Sequence, residues 1–147
     1  MRLTTAALAF AIASLPAIPQ ARNLDGQWNV SQNDTEFDKL VKDWYAHLMQ
    51  PDLPYSSCCG ESDAYWADSW EVNGDQYVAI VTDERTIPGR PPIPVGTKIV
   101  IPNFKLKIDQ GNPTGHGVIF VSYRPYNQHP YDVDGWHVFC YIQTGGG

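Results

Sequence analysis

The chain has 147 residues, with 16 acidic against 10 basic side chains for a net charge of −6. That length suits one domain with a core of modest size. An acidic chain without a Lys/Arg cluster is a poor ligand for nucleic acid phosphates. No apolar run reaches the roughly 20 residues a membrane-spanning helix needs, so no membrane span is expected.

The first residues, "MRLTTAALAFAIASLPAIPQA", place Arg2 before an apolar stretch from Ala6 to Leu15, followed by small residues and prolines. This is the layout of a secretory signal peptide over 1–21, followed by a single domain over 22–147. The competing reading is a retained N-terminal helix or anchor. Removal of 1–21 points to a periplasmic or secreted protein. The following "RNLDGQWNVSQND" is polar and reads as a loop.

In "NDTEFDKLVKDWYAHLMQPD", Phe37, Leu40, Val41, Trp44 and Leu48 recur at helical spacing and form one apolar stripe. Asn33 or Asp34 can cap this helix, and Glu36 and Asp38 place negative charge in its first turn, where the helix dipole favours it. Pro51 stops it. "QPDLPYSSCCG" is then an irregular loop.

After this loop the apolar period changes to that of strands. "SWEVNGDQYVAIVTDE" holds two β-prone runs around Asn73-Gly74, a hairpin signal. "TIPGRPPIPVG" is a proline-dense loop. "TKIVIP", "NFKLKI", "HGVIFVSY" and "WHVFCYIQ" supply further short strands, and "RPYNQHPYDVDG" is a loop between the last two. The predicted fold class is α+β: one N-terminal amphipathic helix packed on a small antiparallel, barrel-like sheet of SH3-like kind.

The chain has only three cysteines, two of them adjacent. A bond between Cys58 and Cys59 would strain the backbone, because adjacent Cα atoms lie about 3.8 Å apart and a disulfide prefers about 4.4 to 6.8 Å. Regular alternation along the last strand puts Val138, Cys140 and Ile142 on one inward face and His137, Phe139 and Tyr141 on the other. Cys140 is therefore expected to bridge to one of the pair, with Cys59 preferred and Cys58 the alternative. Such a bridge closes about 80 residues, worth roughly 4 kcal/mol in the chain-entropy model.

The segments "WYAHLMQPD", "SCCGESDAYW", "NPTGHGVIF" and "VFCYI" resemble a family of small exported bacterial proteins with a Cys-Cys-x-x-x-Asp motif and a near-C-terminal cysteine in an aromatic strand. The resemblance covers most of the chain after the targeting segment and implies no particular activity. It also implies two further cysteines, at positions where this chain has Ala64 and Phe120. If those two pair in the family, this chain lacks one of its bridges.

Other chemistry is sparse. Cys58, Cys59, Asp63 and His116 are the nearest approach to a metal-ligand set, but no Cys-x-x-Cys or His-x-x-x-His spacing supports it. Glu61 and Asp63 form a carboxylate pair that reads equally as loop capping. His116 lies in a turn entering a strand, and His47 and His129 have no stronger case. A Cys–His nucleophile would require Cys58 or Cys59 to meet His116 or His137. No catalytic residue is assigned and no cofactor is expected. The many loop aromatics, among them Tyr65, Trp66, Tyr126 and Tyr131, either plug the ends of the sheet or form a recognition surface. The leading expectation is a non-catalytic binding or accessory module for an envelope protein, peptide or glycan. The alternative is a thiol- or metal-dependent protein centred on Cys58 and Cys59.

Overall fold

A computed structural model describes residues 33–58, 63–87, 89–126 and 129–143. The expected targeting segment 1–21, Cys59 and Glu61 lie outside them. The fold is α+β, mostly sheet, with helix α1 over Glu36–His47. The cap of α1 is Thr35, one residue beyond the expected positions. Its side chain accepts from the Asp38 N–H while the Asp38 carboxylate accepts from the Thr35 N–H, a reciprocal box that satisfies two otherwise orphaned donors. Asp34 instead pairs with Lys42 at 2.8 Å.

The buried side of α1 is shifted from the expected stripe. Tyr45 and Leu48 are buried, with Val41 and Trp44 packed beside them, whereas Phe37 and Leu40 are each 56 % exposed. Beyond α1 the chain doubles back. Met49 bridges Ser57, and the Cys58 N–H donates to the Leu48 carbonyl at 2.9 Å. This return brings Cys58 under the helix.

Seven strands follow: β1 Ala64–Trp66, β2 Ser69–Asn73, β3 Gln76–Ile80, β4 Lys98–Ile101, β5 Leu106–Ile108, β6 Val118–Tyr123 and β7 Trp136–Gln143. They form two sheets, ordered β1-β6-β7-β5 and β2-β3-β4. The predicted hairpin is present, with Gly74 and Asp75 as its turn and Gly74 at φ 65°.

Two expectations are corrected. The sheets remain open and do not close into a barrel, because β1 and β5 end the larger one unpaired to each other and β2 and β4 end the smaller. The pairing is not wholly antiparallel either. β5 runs parallel to β7, because the short 3₁₀ turn Asn103–Lys105 delivers the chain to the outer side of β7 pointing the same way.

The larger sheet is covered on both faces, so its central strands are apolar on both. Tyr65, Ile119, Val121, Val138 and Tyr141 join Ala79, Val81, Ile99 and Ile101 in a core shared with the smaller sheet. Val118, Phe120, Cys140 and Ile142 meet Tyr45, Leu48 and Cys58 in a second core under α1. A bulge separates the two halves of β7. Phe120 faces Cys140 and Val121 faces Val138, which leaves Phe139 as the extra residue. The expected face of Val138, Cys140 and Ile142 is therefore split, Val138 going to one core and the other two to the second. Ala64 lies directly opposite Phe120 across β1 and β6.

Candidate functional site

Cys140 is bridged to Cys58 across 5.4 Å between Cα atoms. The preferred partner, Cys59, is thus replaced by its alternative. The backbone return onto Leu48 directs Cys58 into the helix-side core, where both sulfurs are fully buried. Cys58 has no thiol to offer a metal or a substrate.

Around β1 the expected site residues are built into the structure. Tyr65 is 3 % exposed, so it is no surface contact; its hydroxyl donates to the Pro91 carbonyl at 2.5 Å, and Arg90 lies over its ring at 4.4 Å. Burial raises its pKa. Trp66 is half-buried, with the Arg85 guanidinium 3.7 Å from its ring centre and the His116 ring stacked at 3.7 Å. The Nδ1 of His116 meets Asp68 at 2.9 Å, and Asp68 also accepts the Gly117 N–H at 2.8 Å and the Thr82 hydroxyl at 3.0 Å. His116 therefore ties the turn before β6 to the connection between β1 and β2. Asp63 is buried beside β1.

Next to Trp66 the Asp83 carboxylate takes two hydrogen bonds from the Arg85 guanidinium, at 2.9 and 2.8 Å, and one from Arg90 at 2.8 Å. Burial alone would raise its pKa. The guanidinium donors and the N–H groups of Arg85 and Trp66 overcome that and hold it well below the usual carboxylate range. Lys105 is likewise tied, to Gln50 at 2.7 Å and Asp52 at 2.8 Å. A groove of about 330 Å³ beside α1 is lined by Trp44, His47, Lys107 and Asp109. There Trp44 is already held by Asp109 at 2.9 Å.

The segment from Arg124 to Gly135 is different. Val133 and Trp136 bond each other in both directions, with Asp134 at φ 52° and Gly135 at φ 81° between them. Positive φ at both central residues is the type I′ hairpin geometry that Asp-Gly favours. The next pair outward is Asp132 and His137, whose Oδ1 and Nδ1 stand 2.7 Å apart. The other Asp132 oxygen accepts the His129 N–H at 2.7 Å. The Asp132 side chain is fully buried and that of His137 is 17 % exposed. Burial pushes the Asp132 pKa up, but the His129 N–H and the His137 pairing together leave it below its ordinary value.

Rings extend from this anchor in both directions. His137 meets Phe139 edge-on at 4.6 Å and His129 at 5.6 Å; His129 meets Tyr131 at 5.4 Å, and Tyr131 meets Phe104 at 5.1 Å. Tyr123 and Trp136 form a separate pair at 4.9 Å. Tyr126 is 96 % exposed and Tyr131 58 %. Two of the expected binding residues, Tyr126 and Tyr131, thus lie on this loop, whereas Tyr65 and Trp66 lie in the β1 network.

Sequence pattern does not single out His129, Asp132 and His137 as a group, since no short His-x-x-x-His spacing joins them and the proline- and glycine-bearing segment does not read as a helix. The available signal was Asp134-Gly135. A two-residue turn there pairs Val133 with Trp136 and so Asp132 with His137. Compared with family models, curated proteins and solved structures, the chain finds no match.

Proposed function

We propose that the protein is an exported, non-catalytic binding module whose contact surface is the ring-lined loop between β6 and β7. The observation that carries this reading is the combination of exposed rings and a hydrogen-bonded turn beside them. Tyr126 and Tyr131 present large apolar area to solvent, while two bonds between Asp132 and His129 hold the backbone of the turn that carries Tyr131. Tyrosine is enriched at binding surfaces because it buries much area for few rotatable bonds, and a loop ordered in advance loses little entropy on docking. The partner classes that fit are an envelope protein, a peptide or a glycan.

Export is supported by the Cys58–Cys140 bridge, because disulfides persist in oxidising compartments. No helix among the described residues is long and apolar enough to cross a membrane. In the small exported bacterial proteins that the chain resembles, the further cysteines would fall at Ala64 and Phe120, which face each other across β1 and β6. A thiol- or metal-dependent role at the cysteine pair loses Cys58 to the bridge.

The test is a pull-down from envelope extract with the mature protein and with a Tyr126→Ala/Tyr131→Ala double variant. Retention of a partner by wild type and its loss from the variant is the expected outcome. Equal retention by both would show that the loop is not the contact surface.

A further inference from the structure

We propose that His129, Asp132 and His137 bind one divalent transition-metal ion of the zinc class. Each offers one ligand atom, and the three atoms lie within 4.8 Å of one another. Two imidazoles and a carboxylate suit a borderline ion such as zinc, copper(II) or nickel, and not magnesium or calcium, which prefer all-oxygen shells. Three protein ligands leave coordination positions open to solvent or an external donor.

The arrangement is organised in advance. The I′ turn at Asp134 and Gly135 sets Asp132 against His137, and the Arg124 N–H donates to the Gly135 carbonyl at 2.7 Å, fixing the base of the loop. The His129 N–H holds one Asp132 oxygen and leaves the other facing His137 Nδ1. Phe139 supports the His137 ring from the side. Second-layer contacts of this kind orient metal ligands.

A purely structural role accounts for Asp132 and His137, which pin the hairpin, and for the face of the His129 ring, which packs beside Tyr131, but not for the His129 ring nitrogens. His129 serves the loop through its backbone N–H and carbonyl. Among the described residues no hydrogen bond reaches its ring nitrogens, yet the ring meets His137 edge-on and brings a nitrogen within 4.8 Å of the other two donors. Two ligands each about 2.1 Å from one ion stand about 3.0 to 3.4 Å apart. The ion would therefore replace the proton between His137 Nδ1 and Asp132 Oδ1, now 2.7 Å apart, and open that gap by well under 1 Å. That proton passes to Nε2, so His137 binds through Nδ1 as the neutral imidazole.

The test uses tag-free, oxidised mature protein, stripped with chelator and titrated calorimetrically with zinc chloride. One zinc per chain is expected, with no response to magnesium or calcium. His129→Ala changes an exposed side chain and should weaken zinc at least about tenfold without altering the near-ultraviolet circular dichroism. Asp132→Asn should weaken it similarly, whereas His47→Ala and His116→Ala should leave it unchanged. Copper(II) spin resonance should show nitrogen coupling from two imidazoles, reduced to one in His129→Ala. Absence of stoichiometric zinc, or affinity unchanged in folded His129→Ala, would overturn the assignment.

Discussion

At the start of β6, Gly117 leaves room for the backbone of Ala67. A methyl group on Gly117 would lie 2.4 Å from the Ala67 oxygen, a separation no relaxed structure holds. That oxygen also accepts the Tyr141 hydroxyl at 3.1 Å, and the Ala67 N–H donates to the Gly117 carbonyl at 2.7 Å. Gly117→Ala is expected to cost about 1–3 kcal/mol, the usual range for overpacking. A urea midpoint equal to wild type would mean that the Ala67 strand end gives way freely. Asp83 is the other sensitive residue. Its folded pKa is depressed, so its stabilisation is complete above the ordinary value of about 4 and is lost as pH falls below that toward the folded value. Asp83→Asn leaves Arg90, 3 % exposed, without its anion and should cost about 3–5 kcal/mol at neutral pH. It should also flatten the stability curve below about pH 4. A variant with the same acid limb as wild type would assign that limb to other carboxylates. Burial of Tyr141 acts in the opposite sense, pushing its pKa up to about 12 and disfavouring the phenolate in the folded state.

For α1 the decisive question is which of two overlapping stripes faces the sheet. Val41, Trp44, Tyr45 and Leu48 do. Tyr45 is 3 % exposed and meets Phe120 edge-on at 5.7 Å, whereas Trp44 is only half-buried and spends its N–H on Asp109. Tyr45→Ala is expected to cost about 3–5 kcal/mol and Trp44→Ala distinctly less. The reverse ranking in urea unfolding would show that Trp44 is the main anchor. The helix and most strands were legible in the sequence because period and punctuation mark them locally. The phase of the stripe was not, since Phe37 and Leu40 satisfy the same spacing and only the sheet decides between them. The bulge at Phe139 and the parallel placement of β5 depend on neighbours distant in sequence, so local pattern carries no trace of them. At the site, Tyr126 and Tyr131 were legible as loop aromatics. The Asp132–His137 pairing needed the turn at Asp134-Gly135 to be treated as a hairpin rather than as loop.

Across the whole molecule, the larger sheet separates two cores, and the Cys58–Cys140 bridge lies in the one under α1, joining residues 82 apart in sequence. Cys140→Ser and Cys58→Ser should each lower stability by about 2–5 kcal/mol, and Cys59→Ser should not. Peptide mapping under non-reducing conditions checks the linkage directly; a peptide pairing Cys59 with Cys140 would reverse the assignment. The same sheet has a further consequence through its strand order. β7 lies between β6 and β5, so the edge strand β5 and the pair β1–β6 are joined only through it. All three are synthesised before it, and the four-stranded sheet cannot be completed until translation has passed residue 143. Sheets whose pairing is dominated by such distant partners form in milliseconds to seconds. For a chain exported as proposed, this delay would keep it threadable: it would reach a secretion channel still extended, and its centre would be assembled on the far side, where Cys58 would meet Cys140 under oxidising conditions.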